Sequence, residues 1–577
     1  MVRAFLLAAA ATLLLGAKAG PPAVDYRLSV EPAASGQSAL LDVEMRFRGD
    51  ADGETRLLLP NEFADTKEAW RYVYGLTVKG ARVAEDGPGA RTLRHKPNAA
   101  ITVRYRVQTA YPQDPQGVDR NPYKGAILRP TWLAAFGEFV FATPEGRDDQ
   151  AATFQWGKLP AGWTHASDLE HGAMGRPMRV SDVVDSITMA GAGLAVLDRP
   201  ITGGALRMAA PPGVQAQLLA TLADRSAATI SAERGFWNDV QGPYLVVFIP
   251  LTAKPRGGLS MGGTGRSDGF TLYSTPGAED RLGPIIAHEH THTWIPARVG
   301  QMPKGDAEAG EYWLSEGFTD FFTWRTLLRA GQASTDETVA LMADAMRTYD
   351  ASSVKTAPNS RIVADFWKDQ AVQKLPYQRG ALLALKWDEE IRRKSGGKFD
   401  LDDIVLRMRD QYQRFTPGQG PDVVTNLVSA AWGVAGIDLR PDIATYAVGG
   451  AAIVLPDEMF DGCLQARVTV SPAFDAGFDT DRSFAAKKVM GVRRRGPAWN
   501  SGLRDGMALD AWAYRAGDTS RMIELTLRPT GKGRAARPKV ISYWPYGDAT
   551  TESRKLQLTP GMTPAARAAC GRKIGGL

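Results

Sequence analysis

An H-E-x-x-H unit at His288, Glu289 and His292 restricts this chain more than any other feature, because its parts cooperate only on a helix. Residues four apart share a helical face. His288 and His292 can therefore offer two imidazole nitrogens to one metal ion, with Glu289 beside them as a general base toward water. Three of the six histidines in the 577-residue chain fall within these five positions. The apolar run Ile285, Ile286, Ala287 just before the motif suits a buried helix. His290 lies two residues from each ligand, roughly 200° around the helix, and is expected to pack away from the metal.

A second segment, Tyr312-Trp-Leu-Ser-Glu-Gly-Phe-Thr-Asp-Phe-Phe322, predicts another helix ending near Gly331. Glu316 is its candidate third ligand. Asp320, one turn further on, is placed to hold a ligand imidazole by its second nitrogen. Two histidines and a glutamate would bind one Zn2+ per chain and leave a coordination position open for water, as a catalytic zinc site requires. The expectation is a hydrolase.

These two segments resemble the glycyl aminopeptidase family, PDZ-bearing members of the thermolysin-like zinc peptidases whose third ligand is a glutamate. The text W-L-S-E-G-F-T-D-F-F, with 23 residues between His292 and Glu316, is similar to the pattern of that family. A related aminopeptidase family with a gap of 18 residues would place the ligand at Glu311. Glu311 lacks the following Gly-Phe, so Glu316 is preferred and Glu311 is the alternative. Leu375-Pro-Tyr-Gln-Arg-Gly-Ala-Leu-Leu-Ala-Leu-Lys-Trp-Asp388 resembles the family's Tyr-x-Lys-Gly helix. The resemblance implies that Tyr377 donates a hydrogen bond to the oxyanion of the tetrahedral intermediate.

Gly257-Gly-Leu-Ser-Met-Gly-Gly263 follows the apolar stretch Tyr244–Pro250 and resembles the edge strand along which substrate backbone pairs. Gly257, Gly258, Leu259, Ser260 and Met261 are accordingly candidate substrate-binding residues. The family commonly reads Gly-Gly-Leu-Glu-His here, and its glutamate meets the substrate's free amino group. Ser260 and Met261 take those last two places in this chain. The change removes a charge-assisted hydrogen bond of about 1.5–3 kcal/mol. Asp306, Glu308 and Glu311 are acidic residues that could supply a substitute anion. The implied function is zinc-dependent hydrolysis of peptide bonds by an aminopeptidase. The alternatives are a zinc endopeptidase without N-terminal amine recognition, and a non-catalytic protein that grips peptide ends.

The fold class expected is multidomain α+β. Strand-like stretches at 39–47, 72–78 and 101–107, separated by turns rich in Gly, Asp and Pro, predict an N-terminal β-sandwich-like domain over 20–205. His95, His165 and His171 fall there without metal spacing and read as structural or surface residues. The tract 111–129, rich in Pro and Asp, reads as a loop over or beside the active site. From 206 to 456 the pattern turns helical. Ser334 and Glu337 form a capping box before Val339–Tyr349, and further helices are expected at Tyr377–Arg393, Leu401–Tyr412 and Asp422–Trp432. The resemblance implies a thermolysin-like, mainly helical catalytic domain there.

Residues 457–577 return to strands. Phe474-Asp-Ala-Gly-Phe478 and Val489–Gly506 resemble parts of a PDZ domain, a module that captures extended chain ends. Cys463 and Cys570 are the two cysteines and form a disulfide candidate, the alternative being two buried thiols.

At the N-terminus, Arg3 precedes an apolar run from Ala4 to Ala17, and Ala17-Lys18-Ala19 offers a cleavage site. Residues 1–19 therefore read as a signal peptide, and the mature protein as exported, periplasmic or secreted. The run is short for a membrane span, which needs about 20 residues. The formal charge of +6 is spread over a long chain. Its densest basic run, Arg493-Arg494-Arg495, carries no interleaved aromatics and reads as a solvated loop, with no nucleic-acid module in view. The expected partners are a peptide or protein substrate and a chain end at the PDZ-like domain.

Overall fold

The structure is a computed structural model that describes residues 23–577, apart from 33–37, 63–65, 112, 115–124, 172–176, 240–241, 254–258, 267, 417, 514 and 529–537. Strand Val24–Glu31 alternates buried Val24, Tyr26, Leu28 and Val30 with outward residues, the period of a strand with one face on a core. It lies in a five-stranded sheet ordered Ala152–Trp156, Val24–Glu31, Leu40–Arg48, Ala100–Val107, Val73–Lys79. A second sheet, built on Glu54–Leu58 and Ala90–Arg94, adds Leu57 and Leu93 to the same core. The N-terminal region is thus a two-sheet sandwich. The expected signal peptide, and most of the tract at 111–129, lie outside the described residues.

A third antiparallel sheet, containing Trp132–Phe136 and Ile187–Ala192, joins the sandwich to the middle of the chain. Its Phe136, Ile187 and Met189 pack on Leu245, Val247 and Ile249 of strand Tyr244–Pro250. The other face of that strand, through Val246 and Phe248, meets Leu219, Leu222 and Ile286 from helices. Burial on both faces is why Tyr244–Pro250 is continuously apolar instead of alternating. Its sheet runs Ala195–Ile201, Gly204–Ala210, Tyr244–Pro250, Gly269–Ser274, Met261–Arg266. The sheet therefore begins at Ala195, before the expected boundary at 205. The edge strand occupies Met261–Arg266, several residues later than the expected 257–263.

Helices follow. Thr335–Asp350 begins on the predicted box, with the Glu337 N–H donating to Ser334 Oγ at 3.2 Å and the Ser334 N–H to Glu337 Oε2 at 2.8 Å. Leu401–Tyr412 matches its expected span, and Val423–Ala435 starts on the Asp422 cap. One helix departs from expectation: Gln370–Ser395 begins two turns before Tyr377 and carries Pro376 inside it. The Asp369 carboxylate accepts from the Ala371 N–H at 2.8 Å, and Val372 and Leu375 are buried. Cap and packing together outweigh the proline's missing donor.

The boundary expected at 457 also falls inside a core. Cys463, Leu464, Leu556, Cys570 and Ile574 share the buried cluster of the helices, and Cys463 and Cys570 form a disulfide with Cα atoms 5.6 Å apart. The last helix, Pro564–Gly575, docks on Tyr312–Arg329, where Arg325 Nε donates to Ile574 O at 3.0 Å. A separate core, including Phe478, Val489, Leu503, Leu525 and Tyr543, lies at the far end of the long ribbon Leu464–Phe474 and Tyr546–Leu558. The separate apolar core thus takes in only part of 457–577. No helix among the described residues is long and apolar enough to cross a membrane.

Helices Tyr312–Arg329 and Gln370–Ser395 cross where Gly317 meets Gly380. A Cβ on Gly380 would stand 1.7 Å from Trp313 O, and one on Gly317 2.3 Å from the Gly380 Cα. Backbone atoms cannot yield as a side-chain tip can, so the crossing requires glycine on both helices. Gly380→Ala is expected to destabilise the protein by about 1–3 kcal/mol, the cost of overpacking, measured by denaturant unfolding against wild type.

Candidate active site

Helix Gly283–Thr291 carries His288 and Glu289, and His292 follows as its C-cap. Glu316 stands in the second turn of Tyr312–Arg329. Ligand atoms of His288, His292 and Glu316 all lie within 4.8 Å of one another. The two Nε2 atoms are 3.2 Å apart, and Glu316 Oε2 is 3.2 Å from that of His288 and 3.5 Å from that of His292. A tetrahedron with metal–ligand bonds of about 2.0–2.1 Å has edges of roughly 3.3 Å. The donor triangle thus already has the size of one tetrahedral face around zinc. His2Glu is the donor set of a catalytic zinc site, and the residues fit the ion.

Each donor is oriented from behind. His288 Nδ1–H donates to Asp320 Oδ1 at 2.9 Å, and His292 Nδ1–H donates to Ile295 O at 2.9 Å. Both bonds turn Nε2 toward the shared point. Burial alone would lower the His288 pKa, but Asp320 and Glu316 outweigh it and raise it well above the ordinary value. For His292 burial also acts downward, and Glu316 prevails. Burial would raise Glu316, yet the two imidazoles hold it far below the usual carboxylate range. These opposite shifts record the attraction between the two imidazoles and the Glu316 carboxylate.

Glu289 rests against the edge strand. A Cβ on Gly263 would stand 2.6 Å from Glu289 Cγ, and one on Gly265 would sit 3.4 Å from Oε2. The Gly265 N–H also donates to the carboxylate. Alternate residues of a strand face one way, so Gly263 and Gly265 together clear the space that Glu289 fills. Tyr377 reaches the site from the opposite helix. Its ring lies 6.1 Å from that of His288, nearly parallel to it, and its hydroxyl bonds to Glu316. Burial, followed by the charges of Glu316, Asp320 and Glu289, pushes the phenol pKa well up.

The remaining sequence candidates fall as follows. Glu311 is turned aside, accepting from Trp313 Nε1 at 3.0 Å, with burial raising its pKa to about 7; it is no member of the donor triangle. Glu308 is half-buried, with Tyr312 as hydrogen-bond partner, close enough to Glu316 to feel its charge. Asp306 is exposed. Ser260 immediately precedes the edge strand, its N–H donating to Thr275 Oγ1 at 2.9 Å, with Met261 the first strand residue and Leu259 exposed. Gly257 and Gly258 lie outside the described residues.

His290 points away from the triangle, as its spacing predicts, and hydrogen-bonds Glu233. His95 meets Thr55 and His165 pairs with Glu170, both structural; the side chain of His171 is not described. Arg494 and Arg495 are exposed, whereas Arg493 pairs with Asp475. Two features escaped the sequence reading. The first is the role of Gly263 and Gly265, whose spacing of two was the available signal. The second is Glu233, for which local sequence offers none.

Comparison with known proteins follows the same lines. Residues 282–377 match the sequence pattern of the M61 glycyl aminopeptidases. An aminopeptidase N family protein from Idiomarina loihiensis superposes with a TM-score of 0.64 at 16% identity, covering 96% of this chain and 99% of that one. The two share a fold over nearly their whole lengths. An M1 zinc metallopeptidase from Deinococcus radiodurans gives a TM-score of 0.47 at 16% identity, over 75% of this chain and 96% of that one. No curated protein matches the chain.

Gly263→Ala places a methyl group inside the contact radius of Glu289 while leaving all three donors untouched. Turnover is expected to fall about 100-fold, the scale of a 1 Å misplacement, with zinc content unchanged by elemental analysis. Asp320→Asn should instead weaken zinc binding about 10–100-fold, read by chelator competition.

Proposed function

We propose that this zinc metallopeptidase, a member of the M61 glycyl aminopeptidase family through residues 282–377, removes residues from the free N-termini of peptides in an exported compartment. The observation that carries this reading is the donor triangle, with Glu289 held beside it and the edge strand Met261–Arg266 alongside. Zinc, when bound, polarises the peptide carbonyl and acidifies a water. Glu289 takes the proton from that water and passes it to the leaving amine. Burial raises its carboxyl above the ordinary value against the pull of the imidazoles, which makes it a stronger base than an exposed glutamate. The Tyr377 phenol keeps its proton at neutral pH and donates to the oxyanion as the carbonyl becomes tetrahedral. Substrate backbone adds along the edge strand Met261–Arg266.

With serine at 260, the substrate ammonium needs another anion. Glu308 is half-buried and close enough to Glu316 to feel its charge, a combination that Glu311 and Asp306 lack, so Glu308 is assigned that role. An endopeptidase is the second reading, favoured specifically by Ser260. In the C-terminal unit, the Gly477 N–H donates to Asp475 Oδ1 at 2.8 Å and the loop lies against helix Pro497–Asn500. This supports a PDZ-like unit that holds peptide chain ends. Export is supported by the apolar run Ala4–Ala17 and the cleavage site after it.

The test is hydrolysis of matched peptides with free and acetylated N-termini, with and without a chelator. Chelator-sensitive cleavage of the free series alone is the expected result, and equal cleavage of both series establishes the endopeptidase. Glu289→Gln should abolish turnover with zinc retained, and Tyr377→Phe should lower kcat about 100–1000-fold.

A further inference from the structure

Behind the helix that carries the H-E-x-x-H unit runs the long helix Ala216–Trp237. Its Glu233 is 2% exposed and faces two residues set between the imidazole ligands, His290 and Thr291, themselves 0% and 1% exposed. One carboxylate oxygen accepts from His290 Nδ1–H, and the other lies 2.8 Å from the Thr291 hydroxyl. That hydroxyl also has Ala287 O at 2.8 Å, and the carboxylate is the stronger acceptor of the two. One turn later on the long helix, Trp237 stacks on Trp294 at 5.4 Å. The apolar contact holds the two elements together but tolerates sliding. A carboxylate bonded to two adjacent residues does not.

Helix Gly283–Thr291 has nine residues and no side-chain cap. A helix this short is marginal by itself, so its rotation is set by what touches it. Rotation about its axis would swing His288, Glu289 and His292 together, away from Glu316 on the other helix. We propose that Glu233 is a positioning residue of the zinc centre: by gripping His290 and Thr291 at once, it fixes the rotation at which both imidazoles face Glu316. The role concerns the chain's own geometry and is independent of whether substrates are cut at their ends or within.

The experiment compares zinc affinity, by competition with a chromophoric chelator, in wild type, Glu233→Ala and Glu233→Gln, each shown to be folded by circular dichroism and a cooperative melt. Glutamine keeps the shape and can accept from His290 while donating to Thr291, so it should rescue. The expected result is a loss of affinity of about 10-fold or more for the alanine variant, at the lower end of what removing an orienting partner costs. The glutamine variant should stay within about 3-fold of wild type on that scale. A purely structural role lowers the melting temperature with and without zinc by equal amounts and leaves the affinity of the folded protein unchanged; that result overturns the proposal. Glutamine failing as badly as alanine also overturns it, since charge and not placement would then be at work. Should Glu233→Ala not fold, Thr291→Val carries the same test, because it removes one of the two bonds and leaves Glu233 paired with His290. A loss of several-fold supports the proposal, and wild-type affinity in that variant overturns it.

Discussion

The contact of Gly317 with Gly380 is the constraint on which the site depends. Glu316 sits beside one of these glycines and Tyr377 one turn before the other, so the ligand and the phenol approach the same point only if the two backbones touch. Trp313 O occupies the space where any side chain at 380 would begin. The Trp-Leu-Ser-Glu-Gly-Phe text therefore has two tasks in adjacent residues. Glutamate supplies the donor, and glycine lets the opposite helix come close enough for Tyr377 to bond it. Pro376 inside the second helix fits the same picture, because packing at the crossing, and not local propensity, fixes where that helix runs.

The same helix is held at its other end by buried charge. Arg325 has no exposed side-chain surface and pairs with Asp388 at 2.7 Å and with Asp402, while Arg329 shares Asp402. Isolated buried charges are costly, and several well-placed partners offset that cost by binding the elements that supply them. Those elements are Gln370–Ser395, Leu401–Tyr412 and, through the Arg325 and Arg329 bonds to Ile574 O and Gly575 O, the last helix of the chain. The C-terminal helix is thus part of the catalytic body, although more than 200 residues separate it from the glutamate it supports.

Local spacing made the chemistry legible. His288 and His292 are one turn apart, Glu316 and Asp320 likewise, and these four converge as a helical reading requires. Three sandwich strands, Leu40–Arg48, Val73–Lys79 and Ala100–Val107, were legible from local pattern for the same reason, whereas Val24–Glu31 was not. Features set by contact between distant segments stayed hidden. Glu233 finds His290 across 57 positions, and the sheet that begins at Ala195 takes two strands that no composition change marks. Cores that draw residues from both sides of 205 and of 457 were equally hidden, because distant segments complete them.

What remains is how a nine-residue helix can hold catalytic geometry at all. Its front is set by absence: Gly263 and Gly265 present no side chains, so Glu289 can lie flat against the edge strand. Its back is set by polar contact with Glu233 and stacking with Trp237. The front admits Glu289 at one depth, and the back admits the helix at one angle. Neither alone suffices, because a helix free to turn could present Glu289 to the glycine strand with His292 off the metal axis. The place of Glu289 and the direction of the two imidazoles are consequently coupled through the same short element. The edge strand in front sets the place of Glu289, and the helix behind sets the angle of the imidazoles.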